Sequence, residues 1–159
     1  MKLRIIHAAD LHLDSPFEAL GAEKAAIRRS EQRSLLERIA AETERREADI
    51  LLLAGDLLDS GSAYAETGEA LLAALARVRV PVFIAPGNHD WYSRRSPYAR
   101  LHFPENVHIF RSPRLENVAL PEPGVRVWGA GYTGASCEGL LRGFHAPAED
   151  GWENLLVLH

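Results

Sequence analysis

Three short polar motifs each follow an apolar run, and their side chains are of the types that bind metal ions. The motifs are Asp10-Leu11-His12, Gly55-Asp56-Leu57-Leu58-Asp59 and Gly87-Asn88-His89-Asp90. Carboxylate, imidazole and amide groups are hard-to-borderline ligands that suit divalent cations. In an open α/β sheet the carboxyl ends of neighbouring strands meet at one edge, where ligands commonly bind. The spacing therefore predicts a metal site at one edge of a sheet.

The chemistry of the individual side chains predicts which of them hold the metal. Asp10 and His12 alternate by two, so a strand that continued through them would point both at one cation. Asp56 carries two carboxylate oxygens and is the natural bridge from a first ion to a second ion about 3.5 Å away. Asn88 can bind the second ion through its carbonyl oxygen. We therefore expect a dinuclear centre.

Two further side chains of the motifs are candidates for proton transfer. His89 directly follows Asn88 and cannot easily point at the same ion, which leaves it free to meet a substrate. Asp59 lies three residues after Asp56 and can hydrogen-bond His89 as its partner. Two divalent ions with only Asp10 and Asp56 as anionic ligands leave a positive field, which suits a phosphate ester. The expected reaction is in-line attack of hydroxide on phosphorus, with His89 protonating the leaving oxygen.

The elements that must position these motifs follow a β-α-β-α-β order. Continuous apolar runs predict strands over 3–8, 50–54 and 80–85. Amphipathic stretches rich in Ala and Leu predict a helix over 63–78 and, over 22–48, one long helix or two shorter ones, with Ile27, Leu36 and Ile39 at spacings that suit one helix face. This order is typical of a parallel sheet with right-handed crossovers. Farther on, short apolar pieces predict antiparallel or mixed strands over 107–110, 115–120, 125–128 and 155–158, with a hairpin turn over 121–124.

Composition excludes several other classes of protein. With 159 residues and 47% hydrophobic content, we expect one domain over residues 1–159. A net charge of -4 argues against a protein that coats nucleic acid or membrane through bulk charge. Cys137 is the only cysteine, so an intrachain disulfide is excluded and a cytoplasmic location is expected. The apolar runs are far shorter than the roughly 20 residues that cross a bilayer.

Two other segments have competing interpretations. Residues 91–114 contain five arginines against Glu105 alone, interleaved with aromatic residues. Tyr92, Arg94 and Arg95 are therefore candidates for binding a nucleic-acid backbone, and ordinary arginines packed over aromatic rings are an equally good interpretation. Residues 129–134 match a dinucleotide-binding glycine pattern formally, but only a short Gly-interrupted segment follows, so we predict a turn.

Taken together, the three motifs resemble the signature of the calcineurin-like metallophosphoesterases. Residues 6–17 further resemble the DNA repair exonuclease branch of that family, with its SbcD-related and YhaO-type members. The resemblance implies an α/β fold, a four-layer α-β-β-α sandwich of the metallophosphoesterase type, and two divalent metal ions with Mn²⁺ as the working metal. It also implies the site residues: Asp10, His12, Asp56 and Asn88 as metal ligands, His89 as the catalytic histidine, and Asp59 as its partner.

The chain departs from the family pattern near its end. His159 matches the first of the later metal ligands, whereas a Gly-His-x-His motif that supplies further ligands is absent. We therefore expect a C-terminally incomplete domain, truncated after that first downstream histidine, with one metal site weakened or partly empty. The resemblance also implies DNA as the substrate and a coiled-coil ATPase as a partner. A homodimer is left open, and no membrane partner is expected.

Three functions remain compatible with the sequence. The first is the catalytic part of a two-metal DNA repair exonuclease. The second is a phosphodiesterase or phosphatase that acts on small nucleotides or phosphoproteins, because the same motifs serve both. The third is a catalytically inactive fragment that acts as a binding or dimerisation module.

Overall fold

A computed structural model describes residues 2–61 and 63–159 of the chain. Every predicted strand and helix is present, with ends shifted by up to three residues. The elements are β1 (Ile5–Ala8), α1 (Ala22–Arg45), β2 (Ile50–Ala54), α2 (Ala65–Arg77), β3 (Val82–Ala85), α3 (Pro97–Arg100), β4 (Val107–Ile109), β5 (Glu116–Leu120), β6 (Val125–Gly129) and β7 (Glu153–Val157). Among the elements of the described residues, the short helix α3 is the one that the sequence pattern did not predict.

The first four strands form a parallel sheet in the order β1-β2-β3-β4. All five residues of β2 are buried, because the sheet is covered on both faces. Leu51 and Leu53 point into one apolar core with residues of α1 and α2, while Ile50 and Leu52 point into a second core. The parallel order brings the carboxyl ends of β1, β2 and β3 side by side, as the three motifs require.

A second, three-stranded sheet covers the other face. β5 and β6 form the predicted antiparallel hairpin, and β7 pairs parallel to β6. Val125, Val127 and Val157 from this sheet pack against Phe83 and its neighbours in the second core. The described residues thus form a helical layer and two sheets in the predicted α-β-β order. Over the outer face of the second sheet lies an irregular segment, in which Phe144 packs on Trp128 with ring centroids 5.1 Å apart.

The long helix α1 buries a narrower face than its apolar residues suggest. The sequence pattern placed Ile27 on the same face as Leu36, yet Ile27 is 53% exposed and Leu36 is 4% exposed. The two residues are nine positions apart, which is half a turn more than two full turns of helix, so they point in opposite directions.

Within the described residues, no helix has the length and apolar character needed to cross a membrane.

Candidate metal centre

The loops that follow β1 and β2 run side by side beyond the ends of the two strands. The Asp10 amide donates to the Gly55 carbonyl at 3.0 Å, and the His12 amide donates to the Asp56 carbonyl at 2.9 Å. These hydrogen bonds extend the parallel pairing past the sheet. They fix the backbone of the first motif against that of the second.

Three of the predicted ligands have left-handed backbone conformations. The φ angles are 54° at Asp10, 45° at His12 and 48° at Asp56. Non-glycine residues adopt this region uncommonly, and such strain concentrates at functional sites. The strand does not continue through Asp10 and His12, because β1 ends at Ala8 and the chain turns, so the condition under which both side chains would point at one cation is not met. As a result, the side chains of Asp10 and His12 lie in two different clusters of potential ligands.

The first cluster joins Asp10, Asp56 and His159. His159 Nε2 lies 3.4 Å from Asp56 Oδ2, and His159 Nδ1 lies 3.9 Å from Asp10 Oδ1. Asn88 reaches the same place, because its Oδ1 lies 2.9 Å from His159 Nε2. Four predicted metal ligands from four separate segments of the chain therefore converge on one point.

The second cluster joins His12, Asp59 and His89. Asp59 Oδ1 lies 2.8 Å from His12 Nδ1 and 3.6 Å from His89 Nδ1. The predicted pairing of Asp59 with His89 is thus the longer of its two histidine contacts. The His12 and His89 rings meet edge to face, with centroids 4.9 Å apart. His89 keeps 45% of its side chain exposed, so it can face a substrate.

Asp56 connects the two clusters through a single oxygen. Its Oδ2 lies 3.4 Å from His159 Nε2 and 3.8 Å from His12 Nε2. Its Oδ1 instead accepts a hydrogen bond from the His89 amide at 2.9 Å. The side chain is 5% exposed. Although a bridge through both oxygens was the expectation, one oxygen of Asp56 faces both clusters and the other anchors the third motif.

The donor set and its spacing fit divalent cations. Ligands of one octahedral ion with bonds of about 2.1 Å lie about 3 Å from one another. The ligand atoms of each cluster lie within 4.8 Å of one another, and several pairs are separated by 2.8 to 3.9 Å. Carboxylate, amide oxygen and imidazole ligands suit Mn²⁺ and similar ions. Asp10, His12, Asp56, Asn88 and His159 would therefore hold two divalent ions.

His159 reaches the site because the chain returns to it through β7. Its ring occupies the space beside Gly55, where an added Cβ would lie 2.3 Å from ring atoms of His159. Gly55 also has a φ of 76°, so both conformation and space require glycine there. The Tyr132 ring packs edge to face on His159, with centroids 5.7 Å apart. The sequence pattern did not single out Tyr132, which comes from the glycine-rich turn.

The predicted turn over residues 129–134 packs against the sheet edge. A Cβ at Gly131 would lie 2.1 Å from the Phe110 carbonyl oxygen. The Gly131 amide donates to the Ser112 carbonyl, and the Tyr132 amide donates to the Pro86 carbonyl. Gly131 allows this close backbone packing, and the amides of Gly131 and Tyr132 are already hydrogen-bonded within the protein.

The three DNA-binding candidates lie on the loop that follows the third motif. Arg94 and Arg95 are exposed. Tyr92 is half-buried, and the Arg111 guanidinium lies over its ring, 5.7 Å from the centroid. The arginine-over-aromatic interpretation thus holds for Tyr92, whereas the two arginines are accessible to an anionic ligand.

Two polar residues, Gln32 and Asp14, fix the loop that follows β1 through hydrogen bonds that the sequence pattern did not predict. Gln32 of α1 donates through Nε2 to the His12 carbonyl at 3.1 Å. Asp14 accepts hydrogen bonds from the Tyr64 amide at 2.9 Å and from the Thr67 hydroxyl at 2.5 Å. All three contacts join residues 20 or more positions apart, and no local motif marks them.

Replacing Gly87 by alanine is expected to disturb the centre through Asp56. A Cβ at Gly87 would lie 2.2 Å from Asp56 Oδ1 and 2.6 Å from the Asp56 amide nitrogen. Such overpacking destabilises proteins by about 1–3 kcal/mol. We expect Gly87→Ala to lower the urea unfolding midpoint and to weaken Mn²⁺ binding. Gly134→Ala is the matched control, because a Cβ there meets nothing within 4 Å. Equal behaviour of the two variants would contradict the prediction.

Known proteins resemble this chain in sequence and in fold. It is 36% identical over 132 residues to the uncharacterized metallophosphoesterase YhaO of Bacillus subtilis strain 168, covering 79% of this chain and 32% of that protein. It is 30% identical over 125 residues to the SbcD component of the nuclease SbcCD of the same strain, covering 76% and 30% respectively. The chain thus spans about a third of the length of these relatives.

A solved structure and a family model agree with these matches. A dimetal phosphatase from Danio rerio superposes with a TM-score of 0.51 at 16% identity, covering 86% of this chain and 48% of that one. This likeness supports the fold alone. The sequence model described as Calcineurin-like phosphoesterase matches residues 3–150. Since that match spans most of the 159 residues and the motifs converge as the resemblance implied, the chain belongs to the calcineurin-like phosphoesterase family.

Proposed function

We propose that the chain is the catalytic part of a two-metal phosphodiesterase, with DNA as its substrate and Mn²⁺ as its metal. The observation that carries the proposal is the shared Asp56 oxygen, which lies between two ligand clusters at the carboxyl edge of the sheet. The relative whose name describes a nuclease component supports DNA as the substrate. An ATPase partner, a homodimer and a cytoplasmic location remain predictions.

The residues of the chain divide the work of hydrolysis between them. When bound, two divalent ions would neutralise phosphate charge and lower the pKa of a water molecule to make a nucleophile. Asp10, His12, Asp56, Asn88 and His159 would hold these ions. His89, which is 45% exposed and 3.6 Å from Asp59, would protonate the leaving oxygen. Asp59 would orient His12 and His89 through its contacts with both.

A phosphodiesterase or phosphatase with small substrates is the second candidate. The observation in its favour is the Tyr92 ring, which is covered by Arg111 and so is less available for stacking on a DNA base. The accessible Arg94 and Arg95 favour the DNA substrate instead. An inactive binding module is the remaining alternative, and it predicts no hydrolysis at all.

The deciding experiment compares substrates for the same preparation. With Mn²⁺ present, we expect the chain to release nucleotides from linear DNA and to hydrolyse bis-p-nitrophenyl phosphate. Replacing both Arg94 and Arg95 by alanine should lower kcat/KM for DNA and leave the small diester unchanged. Because each duplex phosphate contact contributes about 0.9 to the slope of log affinity against log salt, the slope should fall by about 2.

Arg79→Ala is the matched control for the arginine variant. Arg79 is also exposed but precedes β3, at the opposite end of the sheet from the metal ligands. Hydrolysis of the small diester without any action on DNA would overturn the nuclease proposal and support the second candidate. Absence of hydrolysis for both substrates would support the binding module.

A further inference from the structure

Asp90 is a buried carboxylate that touches two of the three motifs. It is fully buried, with 0% exposure. Its Oδ2 accepts hydrogen bonds from the Leu57 amide at 2.8 Å, the Leu58 amide at 3.2 Å and the Tyr98 hydroxyl at 2.5 Å. Its Oδ1 accepts one from the Gly87 amide at 2.7 Å. All four donors converge on one side chain: three of them bind Oδ2, and one binds Oδ1.

The contacts between the second and third motifs are reciprocal. Asp56, in the second motif, accepts from the His89 amide of the third motif. Asp90, in the third motif, accepts from the amides of Leu57 and Leu58 in the second. Each turn therefore provides a carboxylate that binds the backbone of the other. Both carboxylates are buried, so these bonds are shielded from water and are stronger than exposed ones.

We propose that Asp90 is a positioning residue that clamps the Asp56 turn to the Asn88 turn and so sets the separation of the metal ligands. It acts through the backbone amides that it binds and belongs to neither ligand cluster. The consequence for activity rests on the proposed two-metal function, whereas the clamp itself is a property of the metal-free fold. Metal ligands must lie within about 0.5 Å of their productive positions, so loosening one turn weakens metal binding.

The clamp requires an acceptor-only side chain at position 90. In Asp90→Asn the amide NH₂ replaces one oxygen and must face N–H or O–H donors in either orientation. Turned toward Gly87, it leaves that amide without an acceptor. Turned the other way, it can donate to the Tyr98 oxygen but leaves the Leu57 and Leu58 amides unpaired. Burial, aided by the charge of Asp90, raises the pKa of Tyr98 well above its usual range, so the hydroxyl keeps its proton and donates to Asp90.

The test combines metal binding with hydrogen exchange on the metal-free chain. For Asp90→Asn we expect the Mn²⁺ dissociation constant, measured by calorimetry, to rise about 10–100-fold, as for other residues that orient metal ligands. We expect the amides of Leu57, Leu58 and Gly87 to exchange at least tenfold faster, while the Leu52 amide in β2 keeps its rate.

Two control variants separate positioning from general stability. Leu75→Ala removes a side chain that is 3% exposed in the apolar core between the first sheet and the helices α1 and α2. This variant should have a lower Tm and an unchanged Mn²⁺ dissociation constant. Tyr98→Phe removes one donor and leaves the three backbone amides bonded, so Mn²⁺ binding should stay within about threefold of the parent value. An Asp90→Asn variant with a lowered Tm and unchanged Mn²⁺ binding would overturn the proposal.

The outcomes remain distinct if the proposed function fails or the variant does not fold. Suppose that the parent chain hydrolyses no phosphodiester, while the Asp90→Asn variant loses protection of the Leu57, Leu58 and Gly87 amides. This result would support the clamp and reject the proposed function. If Asp90→Asn does not fold, amide hydrogen exchange in the parent chain tests the clamp instead. Leu57 and Leu58 amides as protected as those of β2 support the clamp, and amides that exchange at loop rates overturn it.

Discussion

Asp56→Asn is expected to weaken metal binding in both ligand clusters at once and to lower phosphodiester hydrolysis about a thousandfold. The metals contribute several kcal/mol of transition-state stabilisation, and each 1.36 kcal/mol corresponds to a factor of ten in rate. The substitution hardly changes size. The amide oxygen can still accept from the His89 amide, while the NH₂ faces His12 and His159 in place of Oδ2.

Calorimetric titration with Mn²⁺ and the rate of diester hydrolysis measure the effect of this change. Asp49→Asn is the matched control, because Asp49 is an exposed carboxylate that binds the Arg4 amide at the opposite end of the sheet. The control should retain the parent stoichiometry and rate. Undiminished Mn²⁺ binding by Asp56→Asn would contradict the role of Asp56 as the shared ligand.

His89→Ala is expected to lower hydrolysis about 10²–10⁴-fold for substrates with a poor leaving group and far less for good ones. A general acid contributes this much only where the leaving oxygen needs a proton. An alkyl phosphodiester needs it, whereas p-nitrophenolate leaves readily without it. The exposed position of His89 beside Asp59 supports this role.

The leaving-group comparison also separates two roles that the geometry allows. His89 belongs to a cluster that could itself hold a metal with His12 and Asp59. If His89 were a ligand, His89→Ala would weaken Mn²⁺ binding and slow both substrates by the same factor. Unchanged calorimetry together with a leaving-group-dependent rate loss is the result that we expect for the proton donor. His102→Ala, at an exposed histidine outside both clusters, provides the control.

Local sequence patterns were sufficient to predict the strands, the two long helices and their order, but not the short helix α3. The apolar run over 50–54 matches β2 residue for residue, because a strand buried on both faces must be apolar throughout. Pro121-Glu122-Pro123-Gly124 correctly predicted the turn between β5 and β6. The pattern misplaced Ile27, since an apolar residue on a helix need not point at the core.

For the candidate site, residue types could be predicted but their partners could not. The conformation of Asp10 and His12 depends on pairing with the β2 loop, a contact between residues more than 40 positions apart. The closer approach of Asp59 to His12 than to His89 follows from the same turn. These details come from non-local hydrogen bonds, which no short motif encodes.

The three motifs and their placement after apolar runs were thus determined by the sequence itself, because ligand chemistry and strand periodicity are local properties. The tertiary structure alone decided which oxygen of Asp56 faces both clusters and that Asp90 ties the second turn to the third. Those features arise where the parallel sheet brings three strand ends together. At that edge, buried carboxylates require hydrogen-bond donors, and the neighbouring turns provide them through their backbone amides.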